Sequence, residues 1–306
     1  MTVFDSHPSM LDLPKLAELA ARHAEALPIR PAEFTLRGQH FAPWPEASLM
    51  GVVNLSADSW YRESVALTAE AAIRRGKRLA AEGARIVDVG AESSILNATR
   101  VDGAAQRSHL LPVVRELGAA GILVSVETYL PEVTAACLEA GAAVINLTAG
   151  ADTDAFYRMA AEHEAGVIVC YVQNGRNVRE VGDFQASPDH TVLLYEYFAR
   201  EIEAATRAGV TRLWIDPGLG FYYRNLQDSR VRVRHQMETF LHSFRLHGLG
   251  WPVCHALPHA FEYFEEEVRC AEPFFAVLAL LGQTDLLRTH EVARVRGVLD
   301  TLRVME

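Results

Sequence analysis

From residue 47 onward one unit recurs eight times: a short run rich in Val, Ile and Leu, then a loop, then an alanine-rich helical segment, several of which close on glycine. The runs lie at 49–55, 85–90, 122–128, 143–146, 167–172, 211–215, 252–257 and 285–290. Helices are predicted over 68–82, 104–120, 131–141, 153–165, from Pro188 to Ala208, through Val233 to Phe244, up to Leu281 and over 292–302. Each is long enough to carry a right-handed crossover between parallel strands, so eight units predict an α/β fold closed into a (β/α)8 TIM barrel. An open doubly wound sheet is the alternative, but no Gly-x-Gly-x-x-Gly opens any of the helices.

The 306 residues suffice for one such barrel over 47–306 preceded by an N-terminal extension over 1–46. In the extension, Leu13, Leu16, Leu19 and Ala20 fall at helical spacing between Leu11 and Ala26, with Asp12 near the start. The Pro-rich piece that follows, through Pro45, is unsuited to a central strand and is expected to cover one end of the domain or to pack on a neighbour. A formal charge of -10, with no long basic patch, argues against a nucleic-acid partner. No stretch holds 18 uninterrupted apolar residues and the start lacks a basic-then-apolar leader, so a cytoplasmic protein without a membrane span is expected. Cys137, Cys170, Cys254 and Cys270 form no C-x-x-C pair and read as buried free thiols of a reducing compartment.

Several runs stop on a polar or acidic residue: Val53-Asn54, Val126-Glu127, Ile145-Asn146 and Ile215-Asp216. In a parallel barrel such ends meet at one rim, where these folds do chemistry. Arg288 and His290, two apart on the last run, face the same side. Asp88 and Glu92 flank the end of the second run, and His255 and His259 flank the end of the seventh, where imidazoles suit proton transfer or anion contact. Each has a plainer reading. Asp216 can cap the turn at Pro217-Gly218, Asn146 can cap its strand, and Glu127 and Arg288 can belong to ordinary ion pairs. His290 can cap the last helix, Asp88 can anchor adjacent loops, and His255 and His259 can be packing or loop histidines. The stretch Gln173–Arg179 carries Arg176 and Arg179 and reads as a loop able to close over an anion, or as a solvated connector. There is no G-x-S-x-G for a serine nucleophile and no His/Cys pattern with structural zinc spacing.

The segment Met50-Gly51-Val52-Val53-Asn54-Leu55-Ser56-Ala57-Asp58-Ser59-Trp60 resembles the first-strand signature of dihydropteroate synthases and their pterin-binding relatives. Similar to further family segments are Asp88-Val89-Gly90-Ala91-Glu92-Ser93-Ser94, Ser125-Val126-Glu127-Thr128, Ile145-Asn146, Asp216-Pro217-Gly218-Leu219-Gly220-Phe221 and Leu287-Arg288-Thr289-His290, in the expected order. The resemblance implies that Glu127, Asn146 and Asp216 hold a pterin ring and that Arg288 and His290 clamp a diphosphate. It further implies that Asn54 meets Mg²⁺ and the diphosphate and that the enzyme is a homodimer; a catalytic role for Asp88 is read from its place at the end of the second run alone. The implied reaction joins a dihydropterin methyl diphosphate to an arylamine or related nucleophile and releases pyrophosphate.

The departures from the family pattern are specific. Glu127 stands where Asp is usual, and Leu147 follows Asn146 where Asp is common. Ile95-Leu96-Asn97-Ala98 replaces Thr-Arg-Pro-Gly, and Cys254-His255-Ala256-Leu257-Pro258-His259 stands in place of Ser-Arg-Lys. His255 and His259 then become the candidates for the missing basic contacts. A methyltransferase using a reduced folate as cofactor, or a pterin-binding partner protein without catalysis, are the alternatives that these losses raise.

Overall fold

The computed structural model describes residues 10–305, except 57, 60, 62, 63, 94–97, 221 and 222. Helix α1 (Leu13–Arg22) is capped by Asp12, whose side chain accepts from the Lys15 N–H, and a hairpin of β1 (Phe34–Leu36) and β2 (Gln39–Phe41) follows. Eight strand-and-helix units then alternate as the sequence pattern requires. They begin β3 (Ser48–Asn54), α2 (Ala69–Glu82), β4 (Ile86–Gly90), α3 (Gly103–Ala119), β5 (Leu123–Thr128) and α4 (Pro131–Glu139). The middle of the chain supplies β6 (Val144–Leu147), α5 (Asp154–Glu162), β7 (Gly166–Cys170), α6 (His190–Arg207), β8 (Leu213–Asp216) and α7 (Ser229–Leu241). The last units are β9 (Cys254–Ala256), the short α8 (Phe261–Phe264), α9 (Ala271–Leu281), β10 (Leu286–Thr289) and α10 (Val292–Arg303).

The eight strands β3 to β10 are all parallel and hydrogen-bond in the order β8-β7-β6-β5-β4-β3-β10-β9. A bridge between Ile215 and Val253, with the Ile215 N–H donating to Pro252 O at 3.0 Å, joins the two ends of that order and makes the sheet a barrel. Side chains that point outward, among them Val53, Val87, Val124, Val126, Leu213 and Leu287, pack against the surrounding helices in two large apolar clusters. Because strand side chains alternate, the residues between them point inward and stack in layers.

The first inner layer is apolar. Met50, Ile86, Leu123, Val144, Ile168, Trp214, Cys254 and Leu286 pack together with Leu36 and Phe41 of the hairpin. Phe34 and Phe41 both meet the Trp214 ring edge-on, at 4.7 and 5.3 Å between centroids. The Pro-rich segment therefore covers one end of the barrel, as expected, and does so as a hairpin that closes its floor. Helix α1 lies outside, with Leu16 and Leu19 resting on the main core and Leu13 exposed. Cys137, Cys170 and Cys254 are buried, whereas Cys270 is exposed, because it lies in the irregular segment leading into α9. No described helix is long and apolar enough to cross a membrane.

Candidate active site

Two residues above the apolar floor, the barrel interior changes character. From 50, 86, 123, 144, 168, 214, 254 and 286, a step of two leads to Val52, Asp88, Ser125, Asn146, Cys170, Asp216, Ala256 and Arg288. One further step brings Asn54, Glu127, Thr148 and His290 to the rim. Seven of the nine candidate residues thus share one interior, by strand period alone.

Asp88 is the hub of the polar layer. Its Oδ2 accepts from Arg288 Nε at 2.7 Å and from Asn146 Nδ2 at 3.1 Å, while Arg288 Nη2 reaches Glu127 Oε2 at 2.5 Å. Asn146 Oδ1 in turn accepts from the Cys170 thiol at 3.3 Å. Asp216 Oδ1 accepts from the Gly218 N–H at 2.8 Å, so the expected turn cap is formed. Gly218 has φ +76°, a left-handed conformation that suits glycine and lets the chain turn back over the pocket.

Burial sets the electrostatics. It pushes the Asp216 carboxyl up to about 6, against the opposing pull of the Gly218 N–H and Arg288. It likewise raises Glu127 to about 6, with Arg288 lowering it and Asp88 and Asp216 adding to the rise. Arg288, facing Asp88, Glu127 and Asp216, is held above its ordinary range despite burial and stays charged. Three carboxylates and one guanidinium leave this layer short of positive charge.

Glu127, Asn146, Thr148, Cys170, Asp216, Gly218, Gly220, Ala256 and Arg288 line a deep pocket. It adjoins a wider cavity at the barrel mouth, lined by Asn54, Tyr61, Glu92, Leu257, His259 and His290 among others. Arg288 lines both and sits at their junction. Asn54 Nδ2 donates to Ser59 Oγ at 2.9 Å and to Ser64 Oγ at 2.6 Å. With its amide nitrogen engaged, its carbonyl oxygen is the group left to receive a cation.

His255 does not join the site. The inward positions of β9 are Cys254 and Ala256, so His255 points outward, fully buried against the Phe240 ring, with Nε2 2.6 Å from Ser243 Oγ. Burial lowers its pKa to about 3, which makes it a neutral packing histidine. Where basic contacts were sought, Ala256, Leu257 and Pro258 instead give the cavity an apolar wall.

Arg179 is likewise committed to the protein. Its guanidinium donates to Ser93 O at 2.6 Å and to Ala98 O at 2.5 Å and lies 3.8 Å from Glu92, which pins the loop after β7 to the loop after β4. The sequence departure at Ile95-Leu96-Asn97, together with Ser94, Ala57, Trp60, Phe221 and Tyr222, lies outside the described residues.

His259 reaches the cavity from the loop after β9 and meets a partner that the strand ends do not disclose. Glu272, at the start of α9 and fully buried, presents Oε1 to His290 Nδ1 at 2.6 Å and to His259 Nε2 at 3.1 Å. Its Oε2 accepts from the Thr289 hydroxyl and from the backbone N–H groups of His290 at 2.9 Å and Glu291 at 3.1 Å. Burial alone would raise the Glu272 pKa, but His290, His259 and the donors around it outweigh that and keep it ionised. The Tyr61 ring stacks on both imidazoles, 5.0 Å from His259 and 4.8 Å from His290, and its hydroxyl donates to Glu291. One signal for Glu272 was present in the sequence: a lone acidic residue opening the apolar helix Ala-Glu-Pro-Phe-Phe-Ala-Val-Leu-Ala-Leu-Leu.

Comparison with known proteins agrees with this geometry. Residues 50–256 match the family described as pterin binding enzyme. The chain is 30% identical over 262 residues to the dihydropteroate synthase type-2 of Escherichia coli, an alignment covering 84% of this chain and 96% of that one. A dihydropteroate synthase of Streptococcus pyogenes is 30% identical over 68% of this chain and 73% of its own. Among solved structures, the dihydropteroate synthase of Xanthomonas albilineans with 4-aminobenzoic acid superposes with a TM-score of 0.74 at 27% identity, covering 90% of this chain and 98% of that one. The chain therefore belongs to the pterin-binding enzyme family, as a transferase of the dihydropteroate synthase kind.

Proposed function

We propose that this enzyme joins a dihydropterin methyl diphosphate to an arylamine or related nucleophile, releasing pyrophosphate. The observation that carries this reading is the pocket lined by Glu127, Asn146, Asp216 and Arg288, backed by Asp88 through its bonds to Arg288 and Asn146, with Asn54 and His290 lining the adjoining cavity. A pterin has a flat amide and amidine-like edge, which carboxylates and a primary amide recognise through paired donors and acceptors. Asp216, Asn146 and Glu127 supply that set in the deep pocket. Thr148, which lines the deep pocket, has its Oγ1 buried without a partner among the described residues, and a polar heterocycle would satisfy it.

The charged tail then extends past Arg288 into the wider cavity. Arg288 grips anionic oxygens through a fork that is always charged, and His290 adds a donor at the rim. Mg²⁺ fits the same place in this reading. Asn54 offers one hard amide oxygen, and Mg²⁺ accepts one or two protein ligands when substrate phosphate and water complete its shell. Bound there by Asn54 and the diphosphate, it would spread the charge of the leaving group. The reaction breaks the carbon–oxygen bond to diphosphate and forms a carbon–nitrogen bond, and the amine proton passes to solvent. The same reading has the enzyme act in the cytoplasm as a homodimer, which sedimentation velocity tests.

Incubation with the dihydropterin methyl diphosphate, Mg²⁺ and a panel of arylamines should release pyrophosphate and yield the amine adduct. Absence of turnover across the panel, with methyltetrahydrofolate bound instead, would replace this reading by methyl transfer.

A further inference from the structure

We propose that His259, Glu272 and His290 form a binding site for a nitrogen-seeking divalent cation of the Zn²⁺ or Co²⁺ type, separate from any Mg²⁺ at Asn54. The three donor atoms, His259 Nε2, Glu272 Oε1 and His290 Nδ1, lie within 4.8 Å of one another. A tetrahedral ion bound at ~2.0–2.1 Å needs its ligands ~3.3 Å apart. Modest rotation of the two imidazoles, both on the cavity wall, closes that gap.

The surroundings are those of a supported ligand set. Glu272 Oε2 is held by the Thr289 hydroxyl and two backbone N–H groups, which fixes the carboxylate and aims Oε1 alone at the two histidines. Such outer hydrogen bonds orient metal-binding carboxylates. His259 Nδ1 and His290 Nε2 make no hydrogen bond with a described residue, so each imidazole is free to carry its proton there and offer the opposite nitrogen to a metal. Tyr61 packs flat against both rings and walls the group from solvent on one side.

Charge points the same way. Glu272 is fully buried, and its side-chain partners among the described residues are His259, His290 and Thr289. Arg288 is occupied by Asp88 and Glu127, and Arg269 by Glu291. A buried carboxylate with no Lys or Arg partner among the described residues carries a charge that a divalent cation would balance. Two histidines with one glutamate is a donor set that zinc uses with its fourth position open, and here both histidines line the cavity. Mg²⁺, which favours oxygen ligands, is a poor match.

Full-length protein, stripped with chelator, is titrated with Co²⁺ alone and followed by its visible ligand-field bands, then by displacement with Zn²⁺. One equivalent should bind with micromolar affinity or better, excess Mg²⁺ should not compete, and H259A should weaken binding by ~100-fold or more. His259 sits at the cavity wall, so its truncation spares the core, and E272Q provides the second variant, with circular dichroism confirming that each is folded. No stoichiometric Co²⁺ binding, or binding unchanged in folded H259A, would overturn the site. Because the readout is metal binding, it is independent of whether pterin transfer is observed.

Discussion

Arg288 Nε lies 2.7 Å from Oδ2 of Asp88, a carboxylate with no exposed surface, and the same guanidinium reaches Glu127. This ion pair ties β10 to β4 past the intervening β3 and holds the guanidinium at the junction of the deep pocket and the wider cavity. Removing one member of a buried pair leaves the other's charge without compensation, at a cost of ~3–5 kcal/mol. Arg288→Met should accordingly lower the melting temperature by on the order of 10 °C, read by calorimetry. Arg288→Lys keeps the charge but not the fork, and should retain most of the stability while losing turnover.

Asp216 yields a prediction with a definite sign. Its carboxyl titrates near 6 in the folded protein against an ordinary 3.8, so the native state holds this proton more tightly than the unfolded chain. The contribution to stability is present below pH ~4 and is lost as pH rises through about 6, up to ~3 kcal/mol in all. In the ligand-free protein, Asp216→Asn should therefore be stabilising at pH 7–8 and neutral near pH 4, as measured by denaturant unfolding. Pterin affinity should move the opposite way, falling ~10- to 100-fold in the variant at pH 7.5 because a charged hydrogen bond is lost. In the unmutated enzyme, it should weaken as pH drops below about 6.

His255 separates packing from chemistry. Since it is buried against Phe240 and bonded to Ser243 outside the cavity, His255→Gln should cost ~1–3 kcal/mol of stability. Turnover and KM per folded molecule should not change, and a steady-state assay beside a melting curve checks both. A selective loss of kcat in a fully folded variant would contradict the placement.

The apolar wall of Leu219, Ala256, Leu257 and Pro258 bears on the second substrate. Arg288, assigned to the diphosphate in this reading, is the one Lys or Arg of the described lining, which leaves little for an arylamine carboxylate. Uncharged arylamines should therefore be used at least as well as 4-aminobenzoate, in contrast to an enzyme with a basic wall. Competition kinetics with pairs of amines differing only in the carboxylate would measure the preference.

Much of this architecture was legible beforehand because the information is local. Apolar runs alternating with alanine-rich segments specify parallel strands with crossover helices, and the helix boundaries follow from caps such as Asp12, Thr68 and Asp102. Counting in twos along each strand from the apolar floor to Asp88, Asn146, Asp216 and Arg288 then places the polar layer. The same count excludes His255, which lies one residue out of phase with Cys254 and Ala256. Motif position alone had grouped it with His259.

What the chain could not declare by itself are contacts between distant segments. Glu272 lies 13 residues from His259 and 18 from His290, in a helix whose composition predicts only burial. Arg179 reads as a solvated loop cation until the fold brings Ser93 O and Ala98 O to it. The sequence on its own determined the strand order, the facing of each strand residue and the identity of the polar layer, because these depend on period and propensity. Tertiary structure alone decided which charges neutralise one another, that the loop residue His259 reaches the cavity and meets Glu272, and how a hairpin closes the floor, because those outcomes depend on distances between segments that the linear order leaves free.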